Sequence, residues 1–266
     1  NMKEKQIPGV GDIVMVFALM FLISSFAGGY IILKFGFAGY AVTQLIIFLV
    51  PVLYAWYMKT DFRNVFSLER PGVKEMVGVL FFVSGSYIIN SLLISGLYGL
   101  LPSLAEDNES LTGVVSMGGF SPSLLVIGIM PAIAEEAAFR GFLYGTLKNK
   151  KIPIFATCVI TALVFAAYHM NLMQFIYVTV MGLIMSYIIW NSKSIFVTVF
   201  FHLINNSFSV FLEYNKDFVA KVPFFAQEKF EFKDVLIYLS IGIVLLLMGF
   251  LISDNKMGLF AKRNKE

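Results

Sequence analysis

Long apolar runs joined by short polar connections dominate the chain. Most have about the length a helix needs to cross the hydrocarbon of a bilayer, roughly 20 residues. They fall near Asp12–Leu33, Gly39–Met58, Glu75–Leu101, Pro122–Leu147, Ile152–His169, Met173–Trp190, Ser194–Leu212 and Val235–Ile252, which predicts about eight transmembrane helices. Between them lie a basic connection at Lys59–Lys74, an acidic loop at Pro102–Ser121 with the run E-D-N-E, a K-N-K-K turn at Lys148–Lys151 and a mixed-charge loop at Glu213–Asp234. A basic tail closes the sequence. The pattern predicts an all-α, polytopic integral membrane protein. With no internal repeat or dividing linker, residues 1–266 read as a single integral membrane domain.

Composition agrees. The chain is 58% hydrophobic and only 14% charged, with a mean hydropathy of +0.81, whereas soluble domains carry about 25% charged residues. The net charge of +3 is small and its basic residues are scattered through loops, so nucleic acid is not expected as a partner. One cysteine, Cys158, leaves no internal disulfide and sits in an apolar run as a small hydrophobe. Ser25-Phe26-Ala27 imitates a signal-peptide cleavage site, but Asp12 interrupts the basic region ahead of it and the apolar run continues past it.

Basic residues set the orientation. With the N-terminus inside, the inner segments hold 14 of the 20 Lys and Arg residues and the outer segments 5, with Arg140 inside the fourth span. Both termini are therefore expected in the cytoplasm, and the bilayer is the cell's plasma membrane.

Charged groups inside a span are costly and usually face a protein or water-filled interior. Glu135, Glu136 and Arg140 lie in P-A-I-A-E-E-A-A-F-R (Pro131–Arg140). Glu136 and Arg140 are four apart with the acid first, the favoured order for an intrahelical ion pair. Glu135 is rotated by roughly 100° and finds Phe at position 139, so it is the carboxylate left free for chemistry. Both histidines also fall inside spans: His169 ends F-A-A-Y-H and His202 begins H-L-I-N-N, with Asn206 on the same helical face. Across the short turn between the fourth and fifth spans, residues at equal depth are placed symmetrically. Glu135 and His169 pair about Ile152, within that turn, which predicts that they meet. His202 fits less well, lying about 13 Å in from Lys193 against about 20 Å for Glu135 from Lys148. Either the turn between spans six and seven sits below the membrane surface or one boundary is wrong.

A carboxylate near an imidazole can take a proton from water and make it a nucleophile. A second imidazole and an amide can donate to the oxyanion formed on an attacked carbonyl. This is the inventory for peptide hydrolysis without a covalent intermediate and without a cofactor. The same Glu135, His169 and His202 could instead ligate zinc with water in the fourth position, although no H-E-x-x-H is present. Taken singly, an intramembrane His or Asn is more often an interhelical hydrogen-bonding group, worth about 0.6 kcal/mol. The coincidence of both histidines with the membrane-centred carboxylates argues for a site. Gly182 and Gly28-Gly29 read as packing positions.

E-E-x-x-x-R (Glu135–Arg140), F-x-x-x-H (Phe165–His169) and H-x-x-x-N (His202–Asn206) together resemble the three motifs of the CAAX protease and bacteriocin-processing (CPBP, or Abi) family of intramembrane proteases, which includes the type II CAAX prenyl endopeptidases. The motif-bearing core covers about residues 122–212. The resemblance implies an eight-helix fold with its active site among helices 4, 5 and 7, and glutamate-type proteolysis independent of metal, although metal dependence has also been proposed for the family. Glu135 and His169 would activate water, His202 and Asn206 would form the oxyanion hole, and Glu136, Arg140 and Phe165 would support them. It implies a membrane-associated peptide or protein substrate (a bacterial peptide, bacteriocin or pheromone precursor, self-immunity, or CAAX-type processing) and access from the cytoplasm. A non-catalytic membrane scaffold that binds a partner enzyme is the alternative, and a transporter is a third reading. A scaffold has no need of the full polar set that this chain keeps.

Overall fold

A computed structural model describes residues 6–101, 116–226 and 230–254. The helices α1 (Val10–Phe35), α2 (Phe37–Tyr57), α3 (Val73–Leu100), α4 (Phe120–Asn149), α5 (Ile154–Tyr168), α6 (Leu172–Ser192), α7 (Ile195–Tyr214) and α8 (Phe232–Ser253) follow one another along the chain. Seven of them are long and apolar enough to cross a membrane, which makes this an all-α integral membrane protein. The predicted fifth span is the exception: α5 has only 15 residues and stops at Tyr168. The acidic E-D-N-E run and the basic tail lie outside the described residues.

Glycines set the contact of α3 with α8. In α3, a methyl group on Gly85 would stand 2.8 Å from the Gly242 carbonyl of α8, and one on Gly78 would stand 2.8 Å from Cβ of Ser253. Without a hydrophobic drive between helices in lipid, such small-residue faces let backbones approach and gain dispersion contact. The Glu213–Asp234 connection, read from sequence as a loop, contains short helices at Lys216–Lys221 and Pro223–Ala226. Aromatic packing holds them, with Phe218 on Phe211 and Phe225 on Phe208 and Tyr87.

At one end of the bundle the connections are tied together. Ile195 N–H donates to Ser67 O at 2.9 Å, Leu68 and Ser194 form an isolated antiparallel bridge, and Lys148 Nζ donates to Asn64 O at 3.2 Å. Ser194 is fully buried beneath this connection. The turn between α6 and α7 is therefore packed against the connection between α2 and α3.

Two π-helical segments interrupt α4, at Leu124–Ile129 and Ala137–Leu143. Between them lies the α-helical turn Met130–Glu136 that carries both carboxylates. Such bulges shift the helical register and are frequent at functional sites.

Candidate active site

Glu136 and Arg140 form the predicted i,i+4 pair, with Arg140 Nη1 donating to Glu136 Oε1 at 2.9 Å and both side chains fully buried. The guanidinium also donates through Nη2 to Gly182 O in α6 at 3.4 Å. Its planar face lies 4.2 Å from the centroid of the Phe165 ring in α5, a cation–π contact. Gly182 is needed here for space, because a methyl group there would stand 3.1 Å from Cα and Cβ of Ala162 and 3.4 Å from Arg140 Nη2. Arg140 thus ties α4 to α5 and α6.

His202 of α7 closes the cluster. Its Nδ1 lies 3.0 Å from Glu136 Oε1, and its Nε2 faces Glu135 Oε2 at 3.8 Å. Glu136 accepts from Arg140, so its carboxylate is the acceptor toward His202 and Nδ1 is the donor to it. Nε2 is then directed at Glu135, at a separation beyond a direct hydrogen bond. His202 is 3% exposed, whereas the Glu135 side chain keeps 12%. Glu136 orients the ring and Glu135 remains reachable.

His169 occupies the C-cap of α5 and is half-buried. Its Nδ1 lies 2.9 Å from the Phe165 carbonyl. Its ring packs edge-on to Phe165, whose ring is also edge-on to His202 and to Phe139. Phe165, fully buried, is the apolar hub on which Arg140 and both imidazoles are seated. The predicted direct meeting of Glu135 with His169 is not made: no hydrogen bond or ion pair joins them among the described residues, and the ion-pair partner of Glu135 is His202. The reason is local. At the end of a short helix, His169 turns its ring back to a carbonyl four residues earlier.

Asn206, one turn after His202, donates through Nδ2 to Ile127 O at 3.3 Å and accepts from Asn205 Nδ2 at 3.1 Å. Pro131 has no N–H to give to the carbonyls of the turn before it, and Asn206 donates to one of those carbonyls. Reasoning from the sequence missed this bond; the signal was a proline inside a span, close before the carboxylates. An amide NH₂ has two donors, so one N–H of Asn206 remains for other use. Among the described residues, no three His, Cys, Asp or Glu side chains are gathered closely enough to hold a metal ion.

The fold and this cluster define a polytopic membrane protein with a buried carboxylate–imidazole–guanidinium centre built on α4, α5, α6 and α7. Residues 118–208, which contain all three motifs, match the model of the family described as type II CAAX prenyl endopeptidase Rce1-like. The resemblance drawn from the motifs is borne out over that stretch. At 26% identity the chain is similar to the "Putative membrane peptidase YdiL" of Bacillus subtilis (strain 168), over 54% of this chain and 61% of that protein. It is also 26% identical to the "UPF0177 protein YxdF" of Lactococcus lactis subsp. lactis (strain IL1403), over 50% of this chain and 73% of that one. The "UPF0177 protein YbdJ" of the same strain matches at 26% over 51% of this chain and 58% of its own length. The chain thus spans less than two thirds of the first of these relatives. No solved structure matches the chain.

Proposed function

We propose that this protein is an intramembrane endopeptidase that hydrolyses a peptide bond of a membrane-associated peptide or protein with an activated water and no cofactor. The observation that carries the reading is the division of labour between adjacent carboxylates. Glu136 is committed to Arg140 and to Nδ1 of His202, while Glu135 faces Nε2 of the same ring and keeps some exposure. The likeness of residues 118–208 to a family of endopeptidases supports it.

In this reading Glu135, helped by His169, takes a proton from water as the oxygen adds to the scissile carbonyl carbon. His202 and the second N–H of Asn206 donate to the oxyanion. Glu135 then returns the proton to the departing amine as the C–N bond breaks, leaving a carboxyl and an amino product. Glu136, Arg140 and Phe165 touch no reacting atom and hold His202 in place. The substrate class is a bacterial peptide, bacteriocin or pheromone precursor, a self-immunity target or a CAAX-type protein. The protein is placed in the plasma membrane with both termini in the cytoplasm, on the bias of its basic residues.

The test is cleavage of a membrane-reconstituted peptide library by wild type and Glu135→Gln, each with and without a zinc chelator. Cleavage that needs Glu135 and ignores the chelator is expected, with a loss of about 10²–10⁴-fold in the variant. Loss of wild-type activity on chelation overturns the metal-free mechanism. Absence of cleavage by either protein, with a partner retained equally by both, moves the assignment to a scaffold.

A further inference from the structure

We propose that the lysine-bearing end of the bundle holds a binding site for a phosphate group, that of an anionic phospholipid headgroup in the leaflet at that end. The site is separate from the cluster of Glu135 and His202 and does not depend on the endopeptidase reading.

The connection between α2 and α3 folds against the ends of α4 and α6 and leaves a cavity of about 610 Å³ there. Sites for small ligands run to about 300–1,000 Å³. Lys148, near the end of α4, and Lys193, just past the end of α6, both line it. Among the described residues neither lysine forms an ion pair. Lys148 Nζ donates to Asn64 O at 3.2 Å and to Ser67 Oγ at 3.4 Å, and an ammonium has a third donor to give. Arg63 and Glu69, also in the lining, neutralise each other at 3.1 Å. The two lysines then stand against one further carboxylate, that of Asp61. An adjoining recess shares Arg63 and Glu69 and adds Arg70. The lining is therefore cationic on balance.

Tyr144 supplies a second, independent observation. It lines the cavity and is 2% exposed, yet among the described residues its hydroxyl makes no hydrogen bond. A buried hydroxyl is costly without a partner, so the site lacks an acceptor. A phosphate oxygen is such an acceptor, and the lysines supply the charge that goes with it.

The remaining wall distinguishes a lipid from a free anion. It is apolar, made by Ile154, Ile189 and Trp190, with Ile154 exposed and Trp190 partly so. Tryptophan is favoured at the boundary between membrane and water. A headgroup joined to its chains uses both walls, and basic recesses between helices at this depth suit anionic headgroups. The orientation proposed above makes this the cytoplasmic leaflet, whose surface is negative. A phosphate seated here also bridges the ends of α4 and α6 to the segment on which α7 begins, since Ile195 N–H donates to Ser67 O.

The test uses the full chain in phosphatidylcholine nanodiscs with Trp56→Phe, which leaves Trp190 as its single tryptophan. Phosphatidylglycerol with brominated chains is added in increasing fraction, and quenching of Trp190 is compared with that by brominated phosphatidylcholine. Saturable quenching is expected at about one tenth of the fraction that phosphatidylcholine needs. Lys148→Gln and Lys193→Gln are each expected to weaken it about fivefold. Lys193 is exposed and gives the reading should Lys148→Gln fail to fold. Tyr144→Phe changes no charge and is expected to weaken it about tenfold. Lys150→Gln and Lys151→Gln, exposed on the adjoining turn and outside the lining, are expected to change nothing. Equal quenching by the two lipids, or losses at Lys150 and Lys151 equal to that at Lys193, overturns the lipid site. Inorganic phosphate is added separately and read by the unfolding midpoint. A rise that Tyr144→Phe removes, without any preference between the lipids, keeps the phosphate site and overturns the membrane as its source.

Discussion

His202 presents its two ring nitrogens to two adjacent carboxylates of another helix, Nδ1 to Glu136 at 3.0 Å and Nε2 to Glu135 at 3.8 Å. Consecutive residues on a helix point about 100° apart. A ring placed between them is gripped on one edge and left facing Glu135 on the other. The arrangement explains why two glutamates stand side by side in α4 and why they are not interchangeable.

That division predicts opposite consequences for neighbouring substitutions. Glu136→Ala leaves the fully buried Arg140 without its charge partner and is expected to cost about 3–5 kcal/mol of stability. Glu135→Ala, at a partly exposed group with a single long contact, is expected to cost less than about 1 kcal/mol while abolishing cleavage. Equilibrium unfolding in mild detergent reads the difference, and equal losses would sink the assignment of roles.

Asn206 does two jobs that can be separated. Asn206→Ala strands the Ile127 carbonyl and is expected to cost about 1–3 kcal/mol. Adding Pro131→Ala supplies an N–H at the position that can reach that carbonyl. The double variant is expected to recover most of the stability and none of the activity. Recovery of both in a coupled unfolding and cleavage assay would show that the amide is only a helix patch.

Arg140→Lys tests whether geometry or charge matters at the buried cation. Lysine keeps the charge but lacks the planar fork that stacks on Phe165 and reaches Gly182 O. A loss of about 1–2 kcal/mol is expected in the unfolding midpoint series. Wild-type stability in that variant would leave only a point charge at this position.

Gly85→Val drives a branched side chain against the Gly242 carbonyl across the contact of α3 with α8. Overpacking there is expected to cost about 1–3 kcal/mol. Since α8 contributes no residue to the cluster, the specific activity of the protein that remains folded should be unchanged. A fall in specific activity matching the fall in stability would mean that α8 positions the site.

Sequence by itself determined the elements and the pairings along each helix. The apolar runs had to become helices, because every backbone group in lipid must find a partner within its own segment or in a closed barrel. Spacing of four residues placed Glu136 on Arg140 and His202 with Asn206, since helix geometry alone fixes neighbours along one face. Gly182 was legible as a packing position for the same local reason. The tertiary structure alone decided which groups meet across helices. His202 reaches Glu135 and Glu136 from another helix, a contact between residues far apart in the chain. His169 turns to Phe165 rather than to Glu135 because α5 ends there. The bond from Asn206 to Ile127 depends on where Pro131 falls relative to another helix. Periodicity along one helix encodes the direction in which a side chain points. It does not encode the tilt, depth or ending of the neighbour it points at, and those follow from packing the whole bundle.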